Sequence, residues 1–454
     1  MTRSTLTRGT VLALLLSAFI CRPALSESVP RSINEIVSLA LKHSAELDAL
    51  EKDATARQSL AVQAGTLSNP TLELQGSTGS LTGSPDEHTA SIGINQELPL
   101  YGKLRLRREA VQREAEALKR QRDNAARLLK DEVATLALDY SLTVKRQELA
   151  ANLVQLNRDL VAIAEERFKA GDIPELDFNL TKVELARAES RLLEIERDSI
   201  PLRIKIATLT GLNEFDINLS DKFSTPALSL NLYEQDTCVN EVILCRNSSE
   251  NSFLPTKTQD LVKKSLASRP DLHVLSLNRD KAKIERDLAN AEALPNLTAG
   301  LFVQWQRSLT EEGGMSSTSS DTQLGLRLSM PIPVFDRNQG GRAAAQAHLD
   351  AVDSRRSALE RTVTAEVEAA TARFSSSERI LALLEQGIIP QLAENMKLTQ
   401  EAYRLGEVGI LSVIDEQKKF FEVNDGYLSA LHGRHVAFIK LETAAAIDLS
   451  GGMQ

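Results

Sequence analysis

Two stretches of this chain alternate apolar and polar residues one by one. Between Pro295 and Gly340, Leu297, Ala299, Leu301, Val303 and Trp305 take turns with Thr298, Gly300, Phe302 and Gln304. After a polar Gly/Ser/Thr patch the alternation resumes, with Leu324, Leu326, Leu328 and Met330 set against Gly325, Arg327 and Ser329. A period of two predicts strands with one apolar and one mostly polar face, here over 296–306 and 322–332. Each run is about ten residues, the length a tilted strand needs to cross a bilayer. Leu and Trp facing out with Arg and Gln facing in suits a water-filled lumen. On this stretch alone, a surface hairpin of a soluble domain is the alternative.

The same form occurs earlier, predicting strands at 70–80 and 89–100. Leu72 and Leu74 alternate with Thr71, Glu73 and Gln75, and Ala90, Ile92 and Ile94 with Ser91, Gly93 and Asn95. Pro70 and Pro295 open the two hairpins, and Leu98-Pro99-Leu100-Tyr101 and Ile332-Pro333-Val334-Phe335 close them. The closing prolines lie 333 − 99 = 234 positions apart, so the chain reads as an internal duplication.

The remainder predicts helix. Residues 33–65 form a leading helical segment rich in Ala and Leu. From Lys103 to about Ala170 there is neither Pro nor Gly, and the composition is one of strong helix formers. Val133, Leu136, Ala137, Tyr140 and Val144 follow three- and four-residue spacings. Roughly 65 residues at ~1.5 Å each reach about 100 Å, which implies coiled-coil-like packing on neighbours. The run stops at Arg167-Phe168-Lys169-Ala170-Gly171-Asp172-Ile173-Pro174, a Gly stop and a Pro start, and a helix returns to about Thr210. In the second copy Val363, Val367, Ala370, Phe374, Leu381, Leu384 and Ile388 carry the stripe, broken by Gly387 and restarted at Pro390. It stops near Tyr403–Gly409, and a last helix runs from Leu411 to about Asp448. Tyr403 follows Phe168 by 403 − 168 = 235 positions, so the register holds to the turns. The domain reading is therefore a first repeat at 27–211, an irregular segment at 212–258 and a second repeat at 259–454.

Residues 1–26 read as a secretory signal: Arg3 and Arg8 precede the apolar run Val11–Ile20, and Ala24-Leu25-Ser26 offers small residues for cleavage. Lipid attachment at Cys21 competes, but Ile20 stands where a small residue is needed. Loss of Arg3, Arg8 and Arg22 takes the formal charge from −9 to −9 − 3 = −12, a poor match for nucleic acid. Beyond the signal no apolar run approaches the ~18 residues of a spanning helix. Such an exported chain is soluble or crosses a membrane as strands. Cys238 and Cys245 are the only other cysteines; in an oxidising periplasm a disulfide closing their loop is the default, with two free thiols the alternative.

Catalytic chemistry is poorly represented. The six histidines are scattered, and His432 and His435, which could share a helix face, lack a third ligand and read as a solvated surface. There is no phosphate-binding Gly loop after a strand and no nucleophile motif. No enzyme activity, cofactor or resident metal is expected.

Two strand hairpins, each flanked by long helices and followed by a Gly-containing reversal, resemble the TolC-like outer-membrane efflux proteins. The resemblance covers essentially the whole chain after the signal. Gln96-Glu97-Leu98-Pro99-Leu100-Tyr101-Gly102-Lys103 is most similar to the branch serving heavy-metal cation efflux. The resemblance implies a mainly α chain with a membrane β-barrel, in which three protomers form a 12-stranded barrel and a periplasmic α-helical tunnel. It implies as partners a homotrimer, a periplasmic adaptor (membrane fusion) protein, an inner-membrane RND-type pump and outer-membrane lipid. The two reversals, with Gly171, Asp172, Gly406, Glu407 and Gly409, would form the adaptor-docking tip. Asp415 falls where the family has an inward-facing acidic ring, Ser412 where a second acid can stand, and Asp177 where an acid helps latch the closed tip. Val408 stands where an Arg latch partner can occur, so closure here would rely on packing. Helix N-terminal acids favoured by the dipole are the plainer reading of Asp177 and Asp415. The functional expectation is an outer-membrane exit channel of a tripartite efflux system, conducting heavy-metal cations. The alternatives are multidrug efflux or type I secretion through the same fold, or a periplasmic coiled-coil scaffold without a pore.

Overall fold

The structure is a computed structural model and describes residues 31–81, 86–213, 217, 258–312 and 315–449. The signal segment, Cys21, and the Cys238–Cys245 pair lie outside the described residues.

Helix α1 (Ile33–His43) opens with a capping box: the Ser32 hydroxyl accepts from the Glu35 amide, and the Glu35 carboxylate accepts from the Ser32 amide. The leading segment is not one helix. Ser44 takes an extended conformation and caps α2 (Ala45–Ala64) through the Leu47 amide, because a serine hydroxyl satisfies a free helix N–H better outside the helix than within it. Strands β1 (Thr71–Thr78) and β2 (His88–Leu98) follow. Helix α3 (Lys103–Ala170), with 68 residues, spans about 100 Å, and α4 (Glu175–Thr210) returns along it. The second half runs α5 (Thr258–Ser268), α6 (Pro270–Glu292), β3 (Leu297–Glu312), β4 (Met315–Ser329), α7 (Gln339–Leu383), α8 (Ile389–Arg404) and α9 (Ile410–Ala445).

Between α7 and α8 the chain is not broken, as the Gly387–Pro390 pair suggests. Leu384–Ile388 forms a single π-helical turn that carries the axis into α8, where Pro390 sits in the first turn and needs no N–H partner.

No single core exists among the described residues. Helix α3 packs against α2, α4, α6 and α9, and α7 against α5, α6 and α9. Small clusters punctuate these seams, such as Leu138, Leu381, Tyr427 and Leu431, or Leu149, Ala150, Phe421 and Leu428. Small clusters strung along a seam suit long packed helices.

The four strands make one antiparallel sheet in the order β1-β2-β3-β4, with β1 and β4 as its edges. β3 and β4 extend past the expected ends: the pairing continues from Arg307↔Ser320 to Glu312↔Met315. The polar patch between the two predicted strands therefore belongs to the ladder as far as Glu312 and Met315, because ladder hydrogen bonds come from backbone and are indifferent to apolar content. β4 stops at Ser329 rather than 332, just short of Pro331 and Pro333, which have no N–H to donate.

The sheet is joined to the helices through two tight junctions. Tyr101 and Gly102 both have positive φ, and the buried Lys103 that follows donates to the Leu294 carbonyl at 2.6 Å and to the Asn296 side chain. Burial lowers the pKa of this ammonium, with Glu292 and Glu97 pulling the other way. On the second side Asn338, also at positive φ, donates to the Ala289 carbonyl at 2.9 Å. The Gln96–Lys103 phrase thus ties the end of β2 to the start of β3.

Candidate functional site

Two regions carry chemistry: the sheet, and the reversals at the far end of the helices. On the sheet, cross-strand rows such as Leu72–Ile94–Leu301–Leu326 and Leu74–Ile92–Val303–Leu324 align on one face. Leu72, Leu74, Ile94, Leu301, Leu324, Leu326 and Leu328 are all more than half exposed there. The opposite face carries Glu73, Gly93, Asn95, Gly300, Phe302, Gly325 and Arg327, all buried or half-buried, with exposed Thr71, Gln75 and Gln323 around them. A sheet that exposes its aliphatic face and shelters the centre of its polar one inverts the arrangement of a soluble domain.

At the reversals, α3 and α8 end in the same way. Gly171 and Gly406 have φ of 83° and 80°. The Gly171 amide donates to Phe168 and the Asp172 amide to Arg167; the Gly406 amide donates to Tyr403 and the Glu407 amide to Ala402. These are paired five-to-two and six-to-one bonds, which satisfy the last helix carbonyls through a residue in the left-handed region. Gly409 does not share this requirement. Its φ of −80° and ψ of 162° are open to any residue, and it precedes α9 as the cap. Pro174 is likewise the capping residue of α4 rather than its first helical one.

The candidate acids differ in setting. Asp177 is the third residue of α4, half-buried, with its amide on the Pro174 carbonyl at 3.1 Å. That position matches an acid favoured by the helix dipole. Asp415 is the sixth residue of α9, beyond the first turn, so the dipole does not account for it. It is exposed on the same face as the exposed Ser412. The lysines one turn on are committed elsewhere, Lys418 to Glu184 at 3.2 Å and Lys419 to Glu416 at 3.4 Å. Asp172 and Glu407 are exposed at the two turns.

Sequence reasoning missed Arg167. Its guanidinium donates to the Tyr403 carbonyl at 3.0 Å and lies 4.9 Å from the Tyr403 ring centroid, fastening the end of α3 to the end of α8. Burial pushes the Tyr403 hydroxyl up in pKa, Arg167 opposes, and Asp177 adds to the rise, which places that acid in the same field. Val408 packs with the buried Leu160, Tyr403, Ile410, Val413 and Ile414. Phe168 stacks on Phe178 at 5.5 Å across the first turn. The paired aromatics Phe168 and Tyr403 were visible in register; the arginine's partner was not, because it is a backbone carbonyl 236 positions away.

His432 also differs from expectation. It is half-buried and within 2.7 Å of Asp139 rather than on a solvated surface. Among the described residues no group of three His, Cys, Asp or Glu could hold a metal ion, and no helix is long and apolar enough to span a membrane.

The chain matches the family model described as outer membrane efflux protein over residues 36–212 and 261–446. It is a member of that family. This efflux protein is 22% identical over 405 residues to the cobalt-zinc-cadmium resistance protein CzcC of Cupriavidus metallidurans, covering 88% of this chain and 87% of that one. It is 23% identical to the pyoverdine export outer membrane protein OpmQ of Pseudomonas putida, over 87% and 81% of the two chains. Its fold matches the solved structure of CusC with a TM-score of 0.70 at 17% identity, over 92% of each chain. The family is one of outer-membrane efflux channels, and its members are not enzymes.

Proposed function

We propose that this protein is the exit channel of a tripartite efflux system in the outer membrane of a Gram-negative bacterium, with a long periplasmic extension. The observation that carries the reading is the inverted sheet. Its aliphatic face exposes Leu301, Trp305, Leu324, Leu326 and Leu328, and the apolar alternation of β3 runs over Leu297–Trp305, about nine residues, close to the ~9–11 that a tilted strand uses to cross the hydrocarbon. The described residues of one chain offer four strands and two open edges. An open edge in lipid strands backbone groups at several kcal/mol each, and a closed barrel needs about eight strands or more. Pooling three chains into a 12-stranded barrel removes the edges. Exposed Val183, Leu193, Ile200 and Ile204 along α4 offer apolar surface for the same association. The recurring order of elements supports descent by duplication. Each reversal, with Gly171 and Asp172 or Gly406, Glu407 and Gly409, then lies at the tip that docks an adaptor, itself bound to an inner-membrane pump of the RND type. Three Asp415 side chains would ring the axis there, with Ser412 beside them, Arg167 bracing Tyr403, and Asp177 a latch acid at the start of α4.

The cargo we infer is heavy-metal cations, on the named activity of the CzcC relative. The OpmQ relative, at 23% identity against 22%, favours a second reading in which the cargo is an exported organic molecule. Neither needs a resident metal site. The experiment is fractionation of the native protein followed by electrophoresis without boiling. Recovery in the outer membrane as a heat-sensitive trimer is expected, and a soluble periplasmic monomer would overturn location and channel together. Growth of a deletion strain across metals and antibiotics separates the two cargoes.

A further inference from the structure

On the sheltered face of the sheet, the first and last strands of one protomer reach each other. Arg327 of β4 donates to the Glu73 carboxylate of β1 at 2.7 Å, although two strands lie between them. Asn95 of β2 donates to the same carboxylate oxygen at 2.6 Å. The guanidinium lies 5.1 Å from the ring centroid of Phe302 on β3. So each strand contributes one member: an acid, an amide, a ring and a base.

Glycines form the floor beneath them. A Cβ at Gly325 would meet the Phe302 ring at 2.3 Å, one at Gly93 would meet the Phe302 Cβ at 3.0 Å, and one at Gly300 would meet the Asn95 Oδ1 at 1.9 Å. Any side chain at these positions would lift the ring or the amide off the sheet. The pair therefore lies flat across the face rather than pointing away from it. It spends both charges on each other.

We propose that Glu73, Asn95, Phe302 and Arg327 form a charge-balanced ledge in the barrel lumen, which keeps this level of the duct neutral toward ions, at the opposite end of the molecule from the tip. The ledge rests on the channel reading above. Three copies place three carboxylates and three guanidiniums around the lumen with no net charge. Cations and anions then pass this level alike, which leaves discrimination to other levels of the duct. Breaking the pair uncovers one sign. Three unit charges ~10 Å from the axis, screened over a Debye length of ~10 Å at 0.1 M salt, shift the cation-to-anion permeability ratio roughly fourfold.

Reversal potentials of the purified trimer in planar bilayers, measured across a potassium chloride gradient, test this. Arg327→Gln should shift the ratio toward cations, Glu73→Gln toward anions, and the double variant should return to the wild-type value. Each shift should shrink as salt rises. A wild type that conducts, with single variants whose reversal potentials are unmoved or a double variant that does not return, overturns the ledge and leaves the channel standing. A wild type that forms no pore overturns the channel, and the ledge falls with it. Should Arg327→Gln or Glu73→Gln not assemble, Asn95→Asp adds a carboxylate at the same place while keeping both partners. An assembled Asn95→Asp trimer without a cation shift equally overturns the proposal.

Discussion

Gly171 and Gly406 hold the left-handed backbone on which the two reversals turn. A Cβ at Gly171 would meet nothing within 4 Å, and one at Gly406 would meet only an Arg167 nitrogen at 3.7 Å. Space is not the constraint; positive φ is. A β-branched residue there costs about 1–3 kcal/mol, small against a long helical hairpin but concentrated at the turn. Gly171→Val combined with Gly406→Val should weaken adaptor docking in a pull-down while the heat-sensitive trimer persists. Unchanged docking by the double variant would remove the turns from that role. Asp415, exposed and outside the first helical turn, makes a separate case. Asp415→Ala should lower cation selectivity and block by trivalent cations in planar bilayers, with little change in trimer stability, and more so at low salt. Equal selectivity in both proteins would send the search for the acidic ring elsewhere. On the sheet, Leu301 and Leu326 face each other across β3 and β4, 61% and 67% exposed. Arg at either position should cost about 2–4 kcal/mol near the bilayer midplane, and Gln304→Arg on the opposite face much less. Comparable loss of assembled barrel in all three would refute the assignment of faces.

At the scale of elements, the break between α5 and α6 is held by a buried charge cluster. Arg269, 4% exposed, pairs with Asp271 at 2.6 Å, with Glu366, and with the Ala444 carbonyl at the end of α9. Burial acts to raise the Asp271 carboxyl, but the hydrogen bonds and charge of Arg269 outweigh it and hold the group below the usual range. A folded pKa below the unfolded one gives stability that is complete above about pH 4 and lost as pH falls through the folded value. Asp271→Asn should cost about 3 kcal/mol at neutral pH, by leaving part of a buried charge unpaired. Helical circular dichroism in urea reads it: the gap in midpoint between the two proteins should be widest above about pH 4 and close in acid. A gap that does not vary with pH would mean that packing, not ionisation, makes the contribution.

The whole molecule presents more apolar surface than one chain can cover. Besides the strands, Val183, Leu193, Ile200 and Ile204 are 44–64% exposed along α4, a row that a neighbouring protomer's helices would bury. Burying one such side chain is worth about 1.5–3 kcal/mol, and a threefold assembly repeats that gain three times. Leu193→Asp with Ile204→Asp should therefore lower the temperature at which the trimer dissociates on unboiled gels. A trimer as heat-stable as wild type would place this row outside the interface.

Local periodicity was enough to locate strands and helices here, because period two and period 3.6 place apolar residues on faces before any contact forms. Lys103 as the start of the long helix, Gly171 as its reversal and Gly406 as that of the second copy, and the exposed aliphatic row of Leu301 and Leu326 could all be read from the chain. Which groups meet across the fold could not. Arg167 on the Tyr403 carbonyl, His432 against Asp139, Arg269 among Asp271, Glu366 and Ala444, and Arg327 over Phe302 onto Glu73 join residues up to 293 positions apart or more than one strand away. The extra length of β3 and β4 belongs with these. Backbone pairing and long-range charge contacts leave no periodic trace, because their partners are chosen by the packing of whole helices and the curl of the sheet rather than by neighbours in the chain.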